Sequence, residues 1–294
     1  MQTVLLFGKT GQVGFELEHA LGPACRLIAP GHAEADLTNA DAIRTLIDNA
    51  KPDVIVNAAG FTIVDAAESQ AELAMQLNAV APGIIAECAK KIGALLIHYS
   101  TTFVFDGVKQ APYTEEDAPN PVNAYGRSKL AGEQAVTAAG GHSLILRANW
   151  VYSDRRTNFA LAILKAAREK SELEIVNDQV GSPTWARDYA NATADLLKIG
   201  KRLREHPGIY HLCAQSHCTR MQWAKKLIDG AKAVSGSGTR WATLRPTTTA
   251  QYPHVAARPL NTVTSTRKIE QAFGIRMPIW EDRVEVFVRS LPRH

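Results

Sequence analysis

Short apolar runs alternate with stretches whose apolar positions recur every three to four residues, the signatures of buried strands and one-sided helices. In the first half, strands are expected at Thr3–Phe7, Arg26–Ala29, Val54–Ala58, Leu95–Ser100 and Leu144–Val151. Helices are expected from the glycine-rich residues after Phe7 to Leu21, and over Asp41–Asn49 with Asn39 or Thr38 as cap. Two more cover Glu68–Ile92, with a break at Pro82, and Tyr125–Ala139. Such alternation builds right-handed crossovers on a parallel sheet. The second half is more mixed. Helices are expected at Phe159–Lys170, Trp185–Ile199, Met221–Ala233 and Trp280–Leu291, with a strand at Ile209–Cys213. Loops are expected at Gly236-Ser237-Gly238 and Thr247-Thr248-Thr249. The fold class is therefore α/β: a doubly wound parallel sheet over residues 1–150 and a smaller C-terminal lobe, mainly 151–294, from which some segments return to the sheet.

Composition narrows the class. The chain has 294 residues, 46% hydrophobic and 21% charged, which excludes disorder and coiled coil as its main architecture. The net charge of +4 comes from scattered residues, so nucleic acid is not expected, while a phosphorylated small molecule suits it. No apolar run approaches the ~18 residues of a membrane span. Met1 leads into a strand, so no secretory signal is expected. Cys25, Cys88, Cys213 and Cys218 are too few and too irregular for a disulfide framework. A reduced, cytoplasmic enzyme is the expectation.

Gly8-Lys9-Thr10-Gly11-Gln12-Val13-Gly14 lies between the first strand and the first helix. Glycines there permit a tight turn and let a pyrophosphate approach backbone amides at a helix N-terminus. The position makes this a Rossmann-type NAD(P)-binding loop. No Gly-Lys-[Ser/Thr] closes it, which excludes a nucleoside-triphosphate loop. At the end of the second strand the chain reads Ala29-Pro30-Gly31-His32, without the acid that normally bonds a ribose 2′-hydroxyl. NADPH is therefore permitted as well as NADH. Asp36-Leu37 is the candidate adenine contact.

Tyr125 and Lys129 are four apart and share one helix face. An ammonium beside a phenol is expected to lower its pKa and make it a proton donor or acceptor nearer neutrality. Upstream, Ser100-Thr101-Thr102 ends a strand at the sheet edge where ligands bind. Together these residues suggest a proton relay beside a nicotinamide.

At this point the sequence resembles the extended short-chain dehydrogenase/reductases, and within them the dTDP-4-dehydrorhamnose reductases. The resemblance runs through Leu5-Leu6-Phe7-Gly8, Pro52-Asp53-Val54-Ile55-Val56-Asn57-Ala58-Ala59 and Val64-Asp65-x-Ala67-Glu68. It continues in His98-Tyr99-Ser100-Thr101, Val104-Phe105-Asp106-Gly107 and Tyr125-Gly126-x-Ser128-Lys129-Leu130-Ala131-Gly132-Glu133. Later pieces are Trp150-Val151-Tyr152, Asn177-Asp178-Gln179-x-Gly181-x-Pro183-Thr184 and Arg258-Pro259-x-Asn261. It implies an NADPH- or NADH-dependent reduction of a dTDP-sugar ketone in dTDP-rhamnose biosynthesis, a step toward cell-surface polysaccharide, and it admits a homodimer.

By the same resemblance, Thr101, Tyr125 and Lys129 are catalytic. Gly8, Gly11, Gln12, Val13, Gly14, Asp36, Leu37, Ala58, Ala59, Tyr125 and Lys129 hold the cofactor. Thr101, Thr102, Trp150, Arg258 and Asn261 face the substrate, with Arg258 clamping the diphosphate by charge-assisted bonds. The family usually reads Ser-Thr-Asp-Tyr where this chain reads Ser100-Thr101-Thr102-Phe103. Some members share a divalent metal between subunits. Here Glu16 matches one ligand position, but Arg187 stands where another acid is expected, so no metal is expected. His211-Leu212-Cys213 and His217-Cys218 fit no zinc spacing. Two other readings stay open: a nucleotide-sugar epimerase or 4,6-dehydratase, and a non-catalytic subunit resembling the regulatory subunit of methionine adenosyltransferase.

Overall fold

The computed structural model describes residues 1–235, 239–252 and 254–292; the loop expected at Gly236-Ser237-Gly238 lies outside them. The first half runs β1 (Thr3–Phe7), α1 (Gln12–Leu21), β2 (Arg26–Ile28), α2 (Ala40–Ala50) and β3 (Val54–Asn57). It continues with α3 (Ala66–Ser69), α4 (Ala71–Met75), α5 (Ala81–Ile92), β4 (Leu95–Thr101), α6 (Ala124–Ala139) and β5 (His142–Ala148). Asn39 caps α2, its side-chain oxygen accepting the amides of Asp41 and Ala42. The long helix expected over Glu68–Ile92 breaks earlier than Pro82, at Gln70 and in a π-helical turn over Gln76–Val80. Pro82 itself sits in the first turn of α5, directly after that π-helical turn.

The second half runs β6 (Val151–Tyr152), α7 (Phe159–Glu169), β7 (Glu172–Val176), β8 (Val180–Gly181), β9 (Thr184–Trp185), α8 (Ala186–Lys198) and β10 (Gly208–His211). Then follow β11 (Cys218–Thr219), α9 (Arg220–Val234), β12 (Thr243–Thr247), α10 (Arg267–Phe273) and α11 (Trp280–Ser290). The main sheet has six strands in the order β10-β5-β4-β3-β1-β2, and all its pairs are parallel. The order reverses between β1 and β3, so a crevice opens at their carboxyl ends. Two apolar layers flank the sheet. Leu17, Leu21, Tyr189 and Leu196 pack on one face, and Ile43, Ile47, Ile85 and Val136 on the other. The smaller lobe has its own core around Tyr152, Trp185, Trp223 and Phe287. Its parallel pair β7–β12 extends into the expected threonine loop, with Thr247 the last strand residue.

Candidate active site

A cleft of about 860 Å³ runs across the carboxyl ends of β1, β3 and β4 and under the smaller lobe. At one end it is made largely of backbone. Gly8 has φ of +88°, and a Cβ there would lie 2.6 Å from the Ala59 amide nitrogen. A Cβ on Gly14 would collide with the Gly8 carbonyl. Glycine at both positions lets α1 start directly against the strand ends. Gly11 caps α1 without a side chain, so the first-turn amides carry their partial positive charge into the cleft. This cradle fits the pyrophosphate of a dinucleotide. Gly8, Gly11, Gln12, Val13, Leu37, Ala58 and Ala59 line the cleft, and Gly14 is buried beneath it.

Asp36 does not line it. Its carboxylate accepts the amide and hydroxyl of Thr38 at 2.9 and 2.8 Å, bonds that hold its pKa below the ordinary carboxylate value. The end of β2 nevertheless has charges that the sequence did not reveal. Glu34 folds back to accept the Gly31 amide at 2.7 Å, and the Lys9 stem comes within 3.9 Å of where a Gly31 Cβ would stand. One carboxylate and one ammonium chain thus flank the position vacated by the usual acid.

Near the middle of the cleft stands the start of α6. Asn123 caps it by accepting the Gly126 amide at 2.7 Å. Tyr125 and Lys129, one helical turn apart, line the cleft together with Thr101 at the end of β4. The Lys129 ammonium donates to the Tyr99 carbonyl at 2.6 Å. Burial lowers its pKa to about 8, and Glu133 one turn on opposes that shift. Glu133 is held in turn by Arg147 at 2.7 Å and by the Ser100 hydroxyl at 2.5 Å. The Tyr125 phenol differs from expectation. Burial raises its pKa, and only the Thr101 hydroxyl works in the other direction. The reason is that desolvation in the closed site disfavours the phenolate. Phe103 packs edge-on to Tyr125, with ring centroids 5.9 Å apart.

The other end of the cleft is built from side chains of widely separated segments. Trp150 lines it at a φ of +36°, and its indole packs on Gly181, where a Cβ would meet the ring. The Arg220 guanidinium lies 3.6 Å from the Trp150 ring, so a cation covers the indole that the sequence offered to a sugar. Arg156 reaches back to the glycine loop, donating to the Thr10 carbonyl at 2.7 Å, and Ser153 donates to Gln12 at 2.9 Å.

Three expected substrate residues are not at the cleft surface. Thr102 is fully buried, with a hydroxyl that finds no partner among the described residues. Arg258 donates to Asp65 at 2.7 Å and to the Ala256 carbonyl at 3.2 Å. Asn261 donates to the Lys109 carbonyl, 152 residues away, and accepts the amide of nearby Val263. Tertiary partners thus engage side-chain groups of Arg258 and Asn261 that a ligand would also need, whereas the Thr102 hydroxyl is left unpartnered among the described residues. Arg187 pairs with Glu16 at 3.0 Å. His211 is buried against Arg147, and Cys213 and Cys218 are buried free thiols.

Sequence reasoning missed Arg156, Arg220 and Asn78. Asn78, on the π-helical turn, accepts the Phe61 amide at 2.8 Å and donates to Ser128 at 2.9 Å, fastening the loop after β3 to α6. Apart from the proline that follows it, no local pattern marks this turn.

A parallel sheet with a glycine cradle at its switch point and a Tyr–Lys pair beside it defines a short-chain dehydrogenase/reductase, a nicotinamide-dependent oxidoreductase. Comparison with known proteins narrows the class. The RmlD substrate binding domain family matches residues 1–292, and the chain belongs to that family. It is 40% identical over 293 residues to a dTDP-4-dehydrorhamnose reductase of Burkholderia thailandensis, covering 98% of each chain. It is 39% identical to the Escherichia coli K12 protein of the same name, covering 98% of this chain and 97% of that one. A dTDP-4-dehydrorhamnose reductase of Bacillus anthracis, crystallised with NADP, superposes with a TM-score of 0.88 at 29% identity, covering 97% and 98% of the two chains.

Proposed function

We propose that this protein reduces the 4-keto group of dTDP-4-dehydro-L-rhamnose to give dTDP-L-rhamnose, with NADPH or NADH as reductant. The observation that carries the reading is the placing of Tyr125, Lys129 and Thr101 in the same cleft as the uncapped glycine loop. The names of the relatives support the substrate. When bound, the dihydronicotinamide supplies the hydride.

The protein's own residues do the rest. Gly8, Gly11, Gln12, Val13 and Gly14 form the pyrophosphate cradle, and Leu37, Ala58 and Ala59 wall the dinucleotide. Tyr125 Oη, kept protonated by burial, holds the proton that moves to O4 of the sugar as the carbonyl becomes an alkoxide. A positioned general acid of this kind contributes about 10²–10⁴-fold. Lys129 supplies positive charge beneath the reacting oxygen, and Thr101 steadies the phenol. Trp150 and Phe159 narrow the cleft and exclude water. Residues 1–150 thus carry mainly the cofactor, and 151–294 mainly the substrate side.

Among the described residues no helix is long and apolar enough to cross a membrane. The reading extends to a cytoplasmic enzyme with no nucleic-acid partner, and to a homodimer, which sedimentation would test. The deciding experiment supplies the dTDP-4-keto sugar and follows NADPH and NADH oxidation separately. Substrate-dependent, stoichiometric oxidation is expected. Conversion of sugar without net cofactor oxidation would mark an epimerase, and no conversion would overturn the enzyme reading.

A further inference from the structure

Four side chains bring formal positive charge to the cleft: Lys9, Lys129, Arg156 and Arg220. Two are bonded to backbone and one stands at the far end. Lys129 donates to the Tyr99 carbonyl, Arg156 to the Thr10 carbonyl, and Lys9 leans over Gly31 at the far end. Arg220 is different. Its guanidinium is stacked among Trp150, Phe159 and Trp223, 3.6, 4.7 and 5.5 Å from the ring centres. Among the described residues no carboxylate pairs with it.

Aromatic faces attract a guanidinium but leave its in-plane donors unspent, and a desolvated cation without a counter-ion is costly. Burial is the main cause that lowers the Arg220 pKa, to about 9, and the nearby Arg258 charge adds to it. At neutral pH the group is still a cation. Other charges lie close by. His254 feels both Arg258 and Arg220, and Asp65, the acid of this cluster, is already bonded to Arg258. Arg220 is also the first residue of the 15-residue helix α9, whose dipole adds positive potential. The region therefore has more positive charge than it can neutralise internally, and Arg220 lines the cleft with no carboxylate partner among the described residues.

We infer that Arg220, and not Arg258, is the residue that receives the diphosphate of the nucleotide sugar. A planar fork held between aromatic rings is pre-organised for two parallel bonds to phosphate oxygens. Trp150 then serves as the platform that orients the guanidinium. This inference rests on the nucleotide-sugar reading above, and it adds the residue that binds the part of the substrate remote from the reacting carbonyl.

The test is calorimetric titration of Arg220→Met and Arg220→Lys with dTDP and, separately, with NADPH. Arg220→Met should weaken dTDP about 10- to 150-fold, the loss expected for a charge-assisted bond, with NADPH affinity nearly unchanged. That unchanged affinity also certifies the fold. Arg220→Lys, which keeps a charge but not the fork, should fall between. If Arg220→Met is unstable, Arg220→Gln keeps a polar side chain and should lose dTDP affinity in the same way. Unaltered dTDP binding in the neutral variants, or a loss of NADPH binding instead, overturns the assignment. Should the wild type consume the dTDP-sugar while the variants bind dTDP normally, only this inference falls. A wild type that binds NADPH but not dTDP overturns the nucleotide-sugar reading with it.

Discussion

The two ends of the cleft recognise by different means. At the glycine loop, recognition is done by backbone: amides, a helix terminus, and the absence of Cβ atoms at Gly8 and Gly14. At the smaller lobe it is done by side chains, with Trp150, Phe159 and Arg220 meeting from three segments. A backbone site is fixed as soon as the turn forms and tolerates little added volume. A side-chain site depends on distant packing and can be retuned one residue at a time. Tyr125 and Lys129 stand between the two.

The largest effect is expected at that junction. Tyr125→Phe should lose at least about 100-fold in kcat while NADPH affinity stays nearly the same. Near-normal turnover by single-turnover and steady-state assay would remove Tyr125 as the proton donor. Gly14→Ala attacks the backbone end. Its methyl must displace the Gly8 carbonyl, so a loss of about 1–3 kcal/mol in urea unfolding is expected, together with weaker NADPH binding. An unaltered midpoint would show that the loop has more room than the structure gives it.

The pH dependence sharpens the middle. Lys129, with its pKa lowered to about 8, is a cation below that pH and loses its charge as pH rises. Reduction should therefore fall above about pH 8, approaching tenfold per unit, while Lys129→Arg, if active, should carry the plateau further into alkali. A flat profile to pH 9.5 would mean that the charge is not used. The smallest effect concerns the cofactor. With Lys9 and Glu34 both near Gly31, NADPH and NADH should differ by less than about tenfold in kcat/KM, or roughly 1.4 kcal/mol. Glu34→Gln should tilt the ratio toward NADPH, and an unmoved ratio would take Glu34 out of the choice.

What could be read in the sequence follows the same division. Glycine spacing after a strand and a four-residue Tyr–Lys interval encode geometry locally, and both fall where the pattern puts them. Arg258 could not be judged locally, because its partner Asp65 lies 193 residues away. Arg220 could not be found locally, since Trp223 on the same helix supplies only one of its rings and nothing nearby announces Trp150 and Phe159. The direction of the Tyr125 shift was misread for a related reason. Spacing puts Lys129 on the correct face but says nothing of the tertiary burial that raises the Tyr125 pKa. The pair β7–β12 escaped because β12 is largely exposed and contains Pro246, a residue that argues against a strand except at an edge.

The sixth strand of the main sheet has a consequence for how the molecule holds together. β10 comes from the second half of the chain and pairs in register with β5, Gly208 beside Leu144 through His211 beside Arg147. The halves are therefore interleaved: the polypeptide leaves the sheet after β5, builds most of the smaller lobe, and comes back to close the edge. A fragment ending near residue 150 would leave the amides and carbonyls of β5 without their neighbours and open to pairing with another copy. Such a fragment is an aggregation hazard and not a portable cofactor module. The halves are also poorly suited to swing on a simple hinge, since the smaller lobe is tied in by strand pairing as well as by a linker. Segment 153–158 adds a further tie between the halves, since Arg156 and Ser153 bond it to the glycine loop by two hydrogen bonds.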